Sequence, residues 1–380
     1  MRKPVLILLI AALLLPLTPR ALGAEPEIPG KSALLMDAAT GTILYEKNVH
    51  EPLSPASVTK VMTMLLIMEA IDSGKIRWED TVTASETAAA KGGSQIYLKV
   101  GETMSVSDMV KSIAVSSAND CACAMAEHLS GSEGAFVEDM NRRARELGMN
   151  DTNFVNCTGL DDGPDAQNHK TSAYDIALMS RELLVNHPDI KKYTTIWMDT
   201  VRNGTFGLSN TNKLIRFYPG ATGLKTGFTS GAGYCLSATA QRDGMELIAV
   251  VMGCETSKER NTACKQLLDM GFANYAVITP GPEELPAVEV KLGNLREVRA
   301  IPGEQPQLLI DKALKNSITT EISLSQGLTA PVALGQVLGT MTIRAGDKIL
   351  AEIPLVAETE VPRLTWGNLF RLVMQDIAMG

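Results

Sequence analysis

The sequence predicts an α+β protein: an antiparallel sheet flanked by helices with an inserted helical region, then a small all-β domain, then a C-terminal amphipathic helix. Three observations carry this. Strand-like runs lie at both ends of the stretch up to Tyr275, with helix-period segments between them. Pro280, Gly281, Pro282 and Pro286 then punctuate the chain, and short alternating segments follow. Residues 361–380 return to helical spacing.

Each element follows from local signals. In "KSALLMDAATGTILYEKN" two apolar runs flank Ala39-Thr40-Gly41, which reads as a β-hairpin. Thr59 to Ile71 is apolar on nearly all faces, so its helix is expected to be central and buried. Ser105 stands three residues before Asp108, a capping-box-like start for the next helix. "DCACAMAEHLSG" and "GAFVEDMNRRARELG" read as helices ending near glycine, and "TSAYDIALMSRELLVN" as one more. "YCLSATAQRDGMELIAVVMG" holds two strand-like runs joined at Asp243-Gly244, a strong hairpin signal. "NTACKQLLDMGFANY" closes this part as a helix. Antiparallel pairing of the terminal strands, with helices on the faces, is the expected arrangement. From residue 286 to 358, "AVEVKLG", "TTEISLS", "LGTMTIRAG" and "ILAEIPLVA" read as a small all-β domain. At the end, Trp366, Leu369, Phe370, Val373 and Ile377 fall on one side of a helix, with Asn368, Arg371 and Gln375 on the other. That pattern fits a helix lying in a membrane surface; docking on its own domain is the competing arrangement, favoured by the few basic residues on the polar face.

Composition sets the outer limits. Of the 380 residues, 45% are hydrophobic and 21% charged, the balance of a globular protein large enough for two cores. Residues 1–23 read as a secretory signal peptide: Arg2 and Lys3, an apolar run from Val5 to Leu17, then small residues up to Gly23. That run is short against the roughly 20 residues of a spanning helix. Cleavage there removes Arg2, Lys3 and Arg20 and no acids, so the formal charge moves from −8 to −11. An acidic exported chain is a poor match for nucleic acid. Export permits disulfides, but Cys121, Cys123, Cys157, Cys235, Cys254 and Cys264 show no framework spacing and read as buried thiols. Cys121-x-Cys123 near His128 is weak as a metal site, because a helix turns the two thiols to different sides. His50, His169 and His187 are too scattered to suggest metal ligation.

The chemistry gathers around Ser57. On a helix, residues i and i+3 share a face, so Lys60 can reach the Ser57 hydroxyl. A serine needs a base, and a lysine is one only when neutral. Burial and a second cation both favour the neutral form. Alone, Ser57-x-x-Lys60 reads better as an ordinary capped helix start, with Lys60 a solvated first-turn residue. Two further stretches supply partners: Ser117-Ala118-Asn119 at a junction between helices, and Lys225-Thr226-Gly227, read as lying just before a strand. S-x-x-K, S-x-N and K-T-G in this order form the set found in penicillin-binding proteins and class A β-lactamases.

"SPASVTKVMT", "SSANDCACAMAEHLSG", "HKTSAYDIALMSRELL" and "TGLKTGFTSGAGYCLSATA" make the stretch from Lys31 to Tyr275 resemble the serine-type D-alanyl-D-alanine carboxypeptidases, the low-molecular-mass penicillin-binding proteins. The resemblance implies a β-lactamase/transpeptidase-like catalytic domain over residues 24–279, a β-rich domain over 280–360, and a possible membrane anchor at 361–380. It implies removal of the terminal D-alanine from peptidoglycan stem pentapeptides, in cell wall biogenesis and the maintenance of cell shape. The protein would be exported and peripheral on the outer face of the membrane. Carried over by position, Ser57 is the acyl-ester nucleophile, Lys60 the proton acceptor and Ser117 a proton shuttle. Asn119 orients Lys60 and the substrate amide. Lys225 and Thr226 hold the substrate carboxylate, and Lys225 helps keep Lys60 neutral. Gly227 lets the substrate lie against the strand, and the backbone N–H groups of Ser57 and Phe228 form the oxyanion hole. β-Lactam antibiotics would acylate Ser57. No metal or cofactor is implied. Three positions depart from the family pattern: Ala118 replaces glycine, Thr158 stands where many relatives carry histidine, and Thr222 where an acid is common. A β-lactamase is the nearest rival, but residues 150–175 hold no glutamate to activate a deacylating water. A non-catalytic β-lactam-binding sensor is the rival of another class.

Overall fold

The computed structural model describes residues 27–282, 284–304 and 307–367, with Phe370 and Ile377 beyond. The leader read at 1–23 lies outside the described residues. The chain is built on a five-stranded antiparallel sheet in the order Ile43–Lys47, Ser32–Asp37, Met245–Cys254, Gly233–Arg242, Ala221–Thr229. The first and last parts of the domain do pair, Leu35 opposite Ala249. Ser32–Asp37 is buried along its whole length, as a strand covered on both faces must be. Asp243 and Gly244 both have positive φ, 48° and 79°, the requirement of the tight turn that "DG" announces.

Helices cover both faces. Leu34, Met36, Ile248 and Val250 point into a core shared with Met62, Leu65 and Ile176 on one side. Leu35, Leu247 and Ala249 meet Leu267 and Leu268 on the other. The helix Lys60–Asp72 is central, with Val61, Met62, Met64, Leu65, Ile67 and Met68 all fully buried. Val106–Ser116 is capped by Ser105 Oγ, which accepts from Asp108 N at 3.1 Å. Asn119–Ser130, Glu133–Glu146 and Ala173–Asn186 follow as expected, the last capped by Ser172. All six cysteines are buried and unpaired by disulfides.

The helix Ser257–Asn274 runs directly into a strand, Tyr275–Ile278, that pairs with Leu308–Asp311 of the second domain. The two domains therefore share a ribbon across the boundary. The second domain is a six-stranded sheet in the order Ile318–Leu324, Val337–Ala345, Lys348–Ala357, Glu297–Pro302, Ala287–Lys291, Leu328–Thr329. Leu338, Ile343, Ile353 and Leu355 fill its core. Of the terminal helix, Trp366, Gly367, Phe370 and Ile377 are described as helical, while Leu369, Val373, Asn368, Arg371 and Gln375 lie outside the described residues. Among the described residues, no helix is long and apolar enough to cross a membrane.

Candidate active site

Ser57 lies on a single 3-10 turn, Ala56–Thr59, that leads into the helix beginning at Lys60. In a 3-10 turn side chains at i and i+3 eclipse. Lys60 Nζ accordingly sits 3.0 Å from Ser57 Oγ. Its second partner is the Thr158 carbonyl at 2.8 Å. The amine is fully buried, and burial lowers its pKa from 10.5 to about 7, against the opposing pull of Cys157 and Asp120. Ala56 has φ +48°, a left-handed conformation rare for a residue with a Cβ, immediately before the serine.

Ser117 and Asn119 stand on the junction between two helices. Ser117 ends one helix with φ +63°, and Asn119 opens the next. Both are buried. The Ser117 hydroxyl makes no hydrogen bond among the described residues. Asn119 does not reach Lys60 as expected. Its Nδ2 donates to Gly92 O at 2.7 Å, and its Oδ1 is buried without a partner. Lys60 is oriented instead by Ser57 and Thr158.

Lys225, Thr226 and Gly227 lie inside the strand Ala221–Thr229 rather than before it. The glycines of "GATGLKTGFTSGAG" read as a turn, but pairing with Gly233–Arg242 draws the segment into the sheet. Lys225 is buried, with Nζ 3.0 Å from Thr226 O. Its pKa is lowered well below 10.5, first by burial, then by the charges of Lys60 and Arg260. Burial is the main cause at Lys60, and the repulsion between the two ammonium groups, which disfavours charging both, acts in the direction expected. Gly227 also has a different task. A Cβ there would stand 2.6 Å from Pro55 O and 3.1 Å from Ser57 N. The missing side chain lets the strand close on the turn that bears Ser57. Phe228 is half exposed and stacks on Tyr234.

Several participants were not named from sequence. Asn156 Oδ1 accepts from Thr158 N, Thr158 Oγ1 and Gly159 N, an Asx turn that aims the Thr158 carbonyl at Lys60. The Thr158 hydroxyl is spent inside this loop, so the position contributes through its backbone. Gly159, at φ +80°, packs so tightly that a Cβ would lie 1.8 Å from Ala56 O. Thr211 Oγ1 bonds Thr226 Oγ1 at 2.6 Å, and its N–H donates to Val115 O near Ser117. Buried Asn210 and Asn212 fix it on either side, Asn212 Nδ2 reaching Gly223 O at 2.8 Å. Thr222 has an acid after all, in space rather than in sequence: its hydroxyl donates to Glu246 Oε1 at 3.0 Å, and Glu246 pairs with Lys191. Glu69, Glu182 and His187 could offer a metal three ligand atoms, but Arg143 already bonds both carboxylates at 2.7 Å.

A family model described as D-alanyl-D-alanine carboxypeptidase matches residues 20–256, and one described as penicillin-binding protein 5, C-terminal domain, matches 281–363. The D-alanyl-D-alanine carboxypeptidase DacF of Bacillus subtilis is 41% identical, covering 99% of both chains. The crystal structure of penicillin-binding protein 5 from Haemophilus influenzae superposes with a TM-score of 0.74 at 32% identity, covering 89% of this chain and 99% of that one. Penicillin-binding protein D2 of Listeria monocytogenes, solved with cefotaxime bound, gives 0.60 at 31% identity over 65% of this chain and 99% of that one.

Proposed function

This chain belongs to the D-alanyl-D-alanine carboxypeptidase family and is a serine-type peptidase of it, and on that premise we propose that Ser57 carries the reaction, taking the terminal D-alanine from peptidoglycan stem peptides. Ser57 Oγ attacks the carbonyl of the penultimate D-alanine while its proton passes to Lys60 Nζ. The 3.0 Å contact to a wholly buried amine with a pKa near 7 is the observation that carries this reading. The backbone N–H groups of Ser57 and Phe228 receive the oxyanion. As the C–N bond breaks, Ser117 relays the proton to the departing amine, and water then hydrolyses the ester on Ser57.

The substrate end is recognised by Lys225 and Thr226, with Thr211 supporting the Thr226 hydroxyl. An arriving carboxylate beside Lys225 favours the ammonium form that burial disfavours. Asn119 Oδ1, buried and unpartnered, is the acceptor for a substrate amide N–H. β-Lactams acylate the same serine, in keeping with the cefotaxime complex of the Listeria relative. The enzyme acts outside the cytoplasm after removal of residues 1–23, and residues 361–380 rest on the membrane surface. Exposure of Trp366, Phe370 and Ile377 supports that last point. The test is release of D-alanine from a peptide ending in D-Ala-D-Ala, with Ser57→Ala as control. Absence of release together with rapid penicillin hydrolysis would replace this reading with a β-lactamase.

A further inference from the structure

His169 comes from a loop 110 residues beyond Thr59, yet its ring is almost wholly buried beside the turn that bears Ser57. Both ring nitrogens are engaged. Val155 N, which can only donate, points at Nδ1 from 3.1 Å. The ring proton therefore sits on Nε2, which donates to Thr59 Oγ1 at 2.7 Å. The Thr59 hydroxyl, its lone pair taken, donates onward to Ala56 O at 2.8 Å. Each proton in this chain has one possible place. The ring stays neutral, because burial and the charges of Lys170 and Lys60 lower its pKa to about 4. The chain ends on the carbonyl of the residue held at φ +48°, one position before the nucleophile. Gly159 packs against the same carbonyl and against Thr59 Oγ1, where a Cβ would lie 1.8 Å and 2.8 Å away.

We propose that His169 is a positioning residue for acylation, acting through Thr59 on the Ala56 carbonyl and so on the aim of Ser57. This rests on the reading of Ser57 as nucleophile. Ala56 could relax from its left-handed conformation once the carbonyl is released, and the Ser57 hydroxyl would leave its line with Lys60. A displacement on the order of 1 Å at a reacting group costs roughly a hundredfold in rate.

The experiment follows penicillin acylation of the full chain by rapid mixing, separating the first-order step from the preceding dissociation constant. Thr59→Val and His169→Leu are expected to slow the first-order step about 10- to 100-fold with little change in the dissociation constant. Thr59→Ser and His169→Gln keep the donor and restore the rate. The double variant is no slower than the worse single one, since both act on one relay. Equal rates in Thr59→Val and the parent, or multiplicative effects in the double variant, overturn the proposal. Should the variants not fold, long-range proton–nitrogen spectra of the parent protein decide: a proton on His169 Nδ1 at neutral pH overturns it. If the parent is not acylated at Ser57 at all, the underlying assignment of the nucleophile fails instead.

Discussion

The sharpest prediction concerns the pH dependence of acylation. A lysine at its ordinary pKa of 10.5 is neutral in roughly three molecules per ten thousand at pH 7. Burial brings Lys60 to about 7, so roughly half of the molecules hold the free base. The gain in active species is therefore about a thousandfold. Below pH 7 the neutral fraction falls tenfold per unit, and above it the fraction saturates. His169 adds nothing to that limb, because it is already neutral above about 4. The assay is the second-order rate of acylation by a fluorescent penicillin between pH 5 and 9, which reports the free enzyme. The expected profile rises with unit slope to a break near 7. A flat profile from pH 6 to 9, or a single rise centred near 10, would refute a burial-activated Lys60.

Further outcomes follow from the same contacts. Lys60→Met abolishes acylation yet raises Tm at pH 7. The lowered pKa means that the unfolded chain holds a proton the folded one releases, an upper bound of roughly 5 kcal/mol of destabilisation between pH 7 and 10.5. The sign is checked by repeating the melt near pH 10, where the advantage of methionine shrinks because the parent is relieved of the penalty. Gly159→Ala loses acylation and several degrees of Tm, since its Cβ meets Ala56 O at 1.8 Å; Gly244→Ala, with φ +79° but nothing within 4 Å, costs about 1 kcal/mol and keeps the rate. Thr211→Val raises KM for a D-Ala-D-Ala peptide more than it lowers kcat, because it disturbs the Thr226 hydroxyl at the substrate end; equal loss in both places Thr211 elsewhere in the mechanism. Deleting residues 361–380 releases the protein from the membrane fraction, and unchanged fractionation excludes that segment as the anchor.

The fold was legible where signals are local. Asp243-Gly244, the Ser105 cap and the apolar run after Lys60 each announce their element within a few residues, and each is found there. The pairing of Ser32–Asp37 with Met245–Cys254 also followed, because hydrophobic strands at both ends of a helical insert need each other. The site was legible only in its motif side chains. What orients them comes from sequence-distant backbone: the Thr158 carbonyl on Lys60, the gap at Gly227 against Pro55, the His169 ring beneath Thr59. Nothing near Thr158 in sequence marks its carbonyl as a ligand of an amine 98 residues earlier. Glu246 shows the same limit from another side. Thr222 stands where an acid is common, whereas Glu246, two strands away in the sheet, brings a carboxylate to its hydroxyl.

These contacts also explain why a poor local arrangement is tolerated. Two lysines are buried close enough that the charge of one depresses the pKa of the other, a carbonyl oxygen of Asn119 has no donor, and Ala56 holds a left-handed turn. Each feature disfavours the free protein by an amount comparable to a sizeable part of a domain's net stability. They persist because the helix carrying Lys60 is wrapped by core and the adjacent strand cannot retreat without opening the sheet. On the proposed binding mode, a peptide ending in a carboxylate supplies what is absent. Its negative charge meets Lys225, and an amide N–H meets Asn119 Oδ1. Part of the binding energy is thus the relief of a strain that the core enforces, which favours substrates that present both groups at once. A peptide amidated at its C-terminus keeps the N–H and loses the charge. It should therefore be turned over poorly even at a pH where Lys60 is neutral, because no negative charge arrives to meet Lys225.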